Sequence, residues 1–302
     1  MAFFDWLGAL PGAAAQGIIW GIMAIGVYIT YKILDVADLT VDGSICTGGA
    51  VCAVLVTSGV NVWVALAVAT VAGILCGLLT GFFHTFMGIP AILAGILTQL
   101  ILWSVNLKIM GQANLAVPSR AFKVLIAASR VPKSLLVLAG FMIVLIAVLY
   151  WFFGTEMGAS LRATGSNIQM SRAQGINTEL NKIFGLALSN GVVALSGALL
   201  TQYQGFADIN MGRGAIVIGL ASVIIGEAVT ARFAKNFAVK LLGVILGGVI
   251  YYFVYQTVVF LGLDTDLLKM LSAIVVAIFL AVPYWKKRYF SNPKKKEEKR
   301  DA

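Results

Sequence analysis

Few residues in this chain are of types that do chemistry. Asp38, Asp42, Asp208 and Glu227 are the carboxylates that stand in or beside apolar stretches, His84 is the only histidine, and Cys46, Cys52 and Cys76 are the only cysteines. Ionisable groups at membrane depth are functional suspects by default. Asp38 and Asp42 stand where one apolar stretch gives way to the next, so each suits either a helix cap or a contact with a passing solute. With Thr40, Ser44, Asp208 and Asn210 they form a set of pathway candidates. Glu227 precedes Arg232 by five residues and suits a structural ion pair or a side chain snorkelled to the interface. His84 has no carboxylate at relay spacing, and the cysteines have no metal spacing such as CxxC, so these four read as packing residues. No GxxxxGK[ST] stretch occurs, so the chain has no P-loop to cradle ATP. It is expected to be no enzyme and to hold no cofactor or metal. If ATP drives its work, a partner subunit hydrolyses it.

The elements that position these residues follow from composition. Hydrophobic residues make up 60% of the 302 and charged ones 12%, against roughly 45–50% and 25% in soluble domains. Apolar runs long enough to cross a bilayer recur along the chain, at 12–34, 41–58, 61–83, 89–110, 134–153, 183–203, 212–230, 237–258 and 268–285. The fold class is therefore an all-α membrane protein of eight to nine segments. The second and seventh runs are short, glycine-rich and entered through polar breaks (38–44 and 208–214), as broken or re-entrant helices are. Gly73, Gly77 and Gly81 make a glycine face at i, i+4, i+8, with Gly243 and Gly247 a shorter one, and such faces let helices approach closely.

The net charge of +9 is concentrated from Lys286 to Arg300, after the last apolar run. That pattern marks a cytoplasmic anchor tail, 286–302, behind a membrane domain, 1–285, and makes nucleic acid no partner. With the tail inside, Lys32, the loop 154–182 with Arg162, Arg172 and Lys182, and the turn with Arg232, Lys235 and Lys240 are inside as well. Nine segments then put the N-terminus, Asp264 and Asp266 outside. The start of the chain has no basic residue before Lys32, so the first segment is expected to be retained rather than cleaved as a signal peptide. The external loop 112–133 departs from the rule, holding Arg120, Lys123, Arg130 and Lys133. Ser119 can cap a helix with Phe122, Leu125 and Ile126 on one face, which makes the loop an interfacial helix or a docking face for an external partner.

Shifting the chain on itself by 170 residues aligns the first segment with the sixth, the second with the seventh and the third with the eighth. Identities are few, near what this composition gives by chance. The shift also superposes Asp38-Leu39-Thr40 on Asp208-Ile209-Asn210, and Gly73 and Gly77 on Gly243 and Gly247. Five segments separate the paired ones, so units 12–110 and 183–285 would be inverted repeats, the organisation of transport folds with a pathway at the repeat interface. An ion- or proton-coupled secondary transporter shares that organisation, but needs charged relays that are scarce here.

The loop 155–182 is the most specific stretch. Ser166 suits an N-cap and Gly175 a stop, giving a short helix over Asn167–Gln174. Gly158, Arg162-Ala163 and Gly175-Ile176-Asn177-Thr178 resemble the corresponding loop of permease subunits of branched-chain amino acid and ribose-type ABC importers. Asp38-Leu39-Thr40-Val41-Asp42-Gly43-Ser44 resembles the ribose-type pattern with Asp42 as an extra residue, and Ile89-Pro90-Ala91 the opening of that family's fourth span. The heptapeptide looks most like a subgroup proposed to import aromatic amino acids with a lipoprotein receptor. The resemblance implies a bacterial plasma-membrane permease in two copies or two related ones, two cytoplasmic ATPases and an extracellular solute-binding protein. The loop, with Gly158, Arg162, Ala163, Gly165, Ser166, Arg172, Ala173, Gly175, Ile176 and Asn177, would then couple ATPase to permease.

Overall fold

The computed structural model describes residues 2–119, 121–231 and 236–260, with positions 270, 273–274, 277–278 and 281. The rest of the expected ninth segment, the tail 286–302, and Arg120, Arg232, Lys235, Asp264 and Asp266 lie outside the described residues.

Helix α1 (Ala2–Tyr28) ends in a π-helical turn, Ile29–Ile33, and is followed by α2 (Val41–Thr57), α3 (Val62–Thr85), α4 (Ala91–Met110) and α5 (Val131–Gly154). Two shorter helices, α6 (Glu156–Ser166) and α7 (Ile168–Ala173), lead to α8 (Thr178–Gln204), α9 (Ala215–Thr230) and α10 (Phe237–Phe260). Among the described residues six helices are long and apolar enough to cross a membrane, while α2 and α9, at 17 and 16 residues, are shorter. The boundaries follow local chemistry. Asn61 caps α3 by accepting from Trp63 N at 3.0 Å. Gly111 and Gly205 end α4 and α8 in the left-handed region, with φ of 69° and 82°.

Packing is close because glycine lets it be. On α3, a Cβ at Gly73 would collide with Asn190 O and Ala194 Cβ, one at Gly77 with Leu186 O, and one at Gly81 would stand 3.0 Å from Ile183 Cα, so this whole face lies on the backbone of α8. Gly243 and Gly247 of α10 face α9 instead, against Thr230 and Ser222 O. The partners are reciprocal: α1 lies on α10 as α8 lies on α3, and α2 packs on α3 and α8 as α9 packs on α10 and α1. The opposite surface is apolar and open, with Leu136, Ile143, Val144, Val148 and Trp151 of α5 all exposed, as lipid-facing positions are.

Two features depart from expectation. A short antiparallel ribbon joins β1 (Asn114–Ala116) to β2 (Phe206–Asp208), with Asn114 opposite Asp208, in a fold read as all-helical. The interfacial helix capped by Ser119 does not form over the described residues 121–127. A single turn on the Pro118 carbonyl, with Ala121 N at 3.0 Å and Phe122 N at 3.1 Å, gives way to irregular chain before the 3₁₀ turn Ala128–Arg130. There Leu125 N donates to Gln202 Oε1 (3.1 Å), Ala127 N donates to Ser134 Oγ, and that hydroxyl donates to Ala127 O, both at 2.9 Å. Tertiary partners satisfy the backbone, and Ile126, 1% exposed, enters the core rather than a surface helix face.

Candidate functional site

The six pathway candidates fall into three places. Asp38, Thr40 and Ser44 are buried together at the start of α2. Asp38 Oδ1 accepts from Thr40 N at 2.9 Å, and its Oδ2 accepts from Asn190 Nδ2 of α8 at 2.7 Å. Ser44 Oγ donates to Asn190 Oδ1 at 2.6 Å, so one amide bridges both. Thr40 Oγ1 lies 2.7 Å from Thr80 Oγ1 of α3, which donates to Thr98 Oγ1 of α4 at 3.0 Å. This network fixes the broken helix entry to three neighbours and leaves Asp38 fully engaged.

Asp42 does a different job. Its carboxylate accepts from Gly214 N and Ile216 N, both at 3.0 Å, and so caps the N-terminus of α9 from across the fold. Asp208 turns the chain at the ribbon: its Oδ1 accepts from Asn210 N at 2.7 Å, the same two-residue turn that Asp38 makes with Thr40.

Asp42 and Asn210 also line a cavity of about 240 Å³ between α2, α4 and the turn before α9, with Gly43, Cys46, Gln99, Leu100, Trp103, Asn106, Ile209 and Arg213. Asn106 is 1% exposed; its Nδ2 reaches Gly43 O at 3.5 Å, and its Oδ1 has no hydrogen-bond partner among the described residues. Arg213 and Asn210 are shared with a second cavity of about 330 Å³, walled by Trp20, Tyr251, Tyr252 and Tyr255. Asn190, Thr80, Thr98, Asn106 and Arg213 were not singled out from sequence. The available signal was a polar residue inside an apolar run, or, for Arg213, the one basic residue in the break 208–214.

At the other end of the bundle lies the loop 155–182. It is two helices rather than one, and Ser166 is the last residue of α6, its hydroxyl turned back on Ala163 O at 2.9 Å. Asn167 caps α7 instead, accepting from Met170 N at 2.9 Å, because its extended backbone (φ −159°) is what an N-cap requires and Ser166 is still helical. Gly175 follows α7 with φ 80°, and Asn177 caps α8, accepting from Glu179 N and Leu180 N. Gly165 presses on the Ile33 carbonyl, so α6 is seated on the end of α1, and Gly158 on Phe152 O and Phe153 Cα. Arg162 donates to Phe153 O at 2.9 Å, and Arg172 to Thr178 Oγ1 at 3.0 Å. Asn181 Nδ2 ties α8 to α6 through Ser160 and Thr164. Ala173 closes α7 and Ile176 follows its turn, while Ile168 and Met170 of α7 stand 39% and 61% exposed. Close by, Lys32 pairs with Glu227 at 3.1 Å, and His84 sits 2.9 Å from Ile89 O and 3.4 Å from Lys182 Nζ. Cys46, Cys52 and Cys76 are buried and unpaired with one another, and no metal-holding group of side chains occurs among the described residues.

Six long apolar helices, with glycine faces at their contacts and polar groups buried at the broken entry to α2, define a multi-pass helical membrane protein. The chain belongs to the family described as branched-chain amino acid transport system / permease component, which matches residues 10–282. It is 41% identical over 267 residues to a tyrosine transport system permease protein of Clostridioides difficile, covering 88% of each chain. It is 35% identical over 274 residues to an uncharacterized protein of Rickettsia prowazekii (89% of this chain, 95% of that one). It is 29% identical over 198 residues to the autoinducer 2 import system permease protein LsrC of Salmonella choleraesuis, over 62% of this chain and 54% of that one. No solved structure matches the chain. Its place is thus that of a permease component of an ABC-type transport system.

Proposed function

We propose that this permease forms the membrane pathway of an ATP-driven importer for a small solute, an amino acid, with tyrosine the first candidate because the relative at 41% identity is a tyrosine transport system permease. The observation that carries the reading is the α6–α7 unit. It is wedged by Gly165 on the end of α1, tied by Asn181 to α8, and presents Ile168 and Met170 outward. A short helix with exposed apolar side chains, joined rigidly to two long helices, is what a cytoplasmic ATPase needs to grip in order to move the bundle as bodies. Two permease copies, two ATPases and an external solute-binding protein complete the assembly, and ATP is bound by the ATPases alone.

The reciprocal packing of α1–α10 and α8–α3, with the matching aspartate turns at Asp38 and Asp208, supports reading 12–110 and 183–285 as inverted repeats around that pathway. The chain then sits in a bacterial plasma membrane with α6–α7 and the C-terminus in the cytoplasm and the β1–β2 ribbon and N-terminus outside. The test is to purify the chain with and without its co-expressed ATPase. ATP hydrolysis is expected only in the pair, and hydrolysis by this polypeptide alone would refute the division of labour.

A further inference from the structure

We infer that the cavity between α2, α4 and the turn 209–214 binds the head group of a free amino acid, with the Arg213 guanidinium on its carboxylate and the Asn106 amide oxygen accepting from its ammonium. The inference rests on the amino-acid reading above. It begins with Asn106, whose side-chain oxygen is buried and has no donor among the described residues. Buried polar groups are rarely left unpaired, and such an orphan in a cavity wall marks a place where something else supplies the hydrogen bond. An ammonium group has three donors and no acceptor.

The opposite charge is met on the same wall. Arg213 lines the cavity, and among the described residues its guanidinium has neither an ion-pair nor a hydrogen-bond partner. Its planar fork matches a carboxylate with two parallel bonds, which a lysine would not. Asp42 spends one bond from each oxygen on capping α9, through Gly214 N and Ile216 N, and its charge offsets that of Arg213. The cavity therefore suits a solute of no net charge that carries both signs. At about 240 Å³ it is smaller than the roughly 300–1,000 Å³ of drug-sized sites, which fits a single amino acid. Trp103 and Leu100 supply an apolar wall, and Cys46 holds the floor rigid, with its thiol on Ile209 O (3.4 Å) and Gly212 N on its sulfur (3.1 Å).

The test places a thiol on the cavity wall with Gln99→Cys in the full-length protein, and the unsubstituted protein, whose buried Cys46 lines the same cavity, supplies the background rate of alkylation. L-tyrosine is expected to slow alkylation of this thiol, whereas tyramine, which lacks the carboxylate, is not. Arg213→Gln should weaken the protection about tenfold or more in tyrosine concentration, the loss expected of a charged hydrogen bond. Asn106→Leu should weaken it too with little change in melting temperature, since the amide it removes makes one long bond, Nδ2 to Gly43 O at 3.5 Å, and that carbonyl keeps the Thr47 hydroxyl at 3.0 Å. A purely structural Asn106 would instead show a lower melting temperature. Equal protection by tyramine, or unchanged protection in Arg213→Gln, overturns the site. Tyrosine uptake by cells carrying the intact system is measured alongside: if uptake occurs while protection fails, the cavity assignment falls and the import reading stands, and if no amino acid is taken up, the reading itself falls.

Discussion

Asn190 joins α8 to the start of α2 by bonding Asp38 and Ser44 with one amide. Replacing it by leucine leaves a buried carboxylate oxygen and a buried hydroxyl short of a partner, each costing about 1–3 kcal/mol. Asn190→Leu is therefore expected to lower the detergent-solubilised melting temperature and the folded yield, and an unchanged melt would show that the network does not hold α2 in place. Asp42→Ala removes a cap shared across the fold, about 1 kcal/mol by the usual worth of a helix cap. The loss should be local, read as faster amide exchange at Gly214 and Ile216 with the rest of α9 unaffected. Asp38 and Asp42 stood out in the sequence because carboxylates among apolar residues are costly. Their partners did not, because Asn190 lies 152 positions from Asp38 and Gly214 lies 172 from Asp42, and no periodicity links residues so far apart.

At the scale of elements, α7 and its glycine turn should matter for coupling and little for folding. Gly175 holds φ 80° and its N–H donates to Arg172 O at 3.0 Å; proline can supply neither. Gly175→Pro is expected to leave expression and dimerisation intact while abolishing cargo-stimulated ATP hydrolysis, and Met170→Glu to weaken co-purification of the ATPase. Normal transport by both would remove α7 from the coupling path. Gly77→Leu acts the other way, since its side chain must displace the Leu186 carbonyl of α8, an overpacking cost of about 1–3 kcal/mol or more that should appear as loss of folded protein. The i, i+4, i+8 spacing announced that α3 has a close neighbour, but not which one. Long apolar helices were legible for the same reason, that one strong period repeats over many residues. The stretch 121–127 was not, because backbone bonds of Leu125 and Ala127 go to Gln202 and Ser134 on other helices and override the local amphipathic pattern.

For the whole molecule, α1 lies on α10 as α8 lies on α3, and the short α2 and α9 each pack across one of these pairs, α2 on α3 and α8, α9 on α10 and α1. The proposed import draws its drive from ATP hydrolysed by a partner subunit. The most direct test reconstitutes the permease with its ATPase and solute-binding protein in liposomes and follows labelled tyrosine. Uptake should require ATP on the α6–α7 side, vanish with a hydrolysis-deficient ATPase, and ignore collapse of proton and sodium gradients. Accumulation driven by an ion gradient in liposomes holding this chain alone would contradict it.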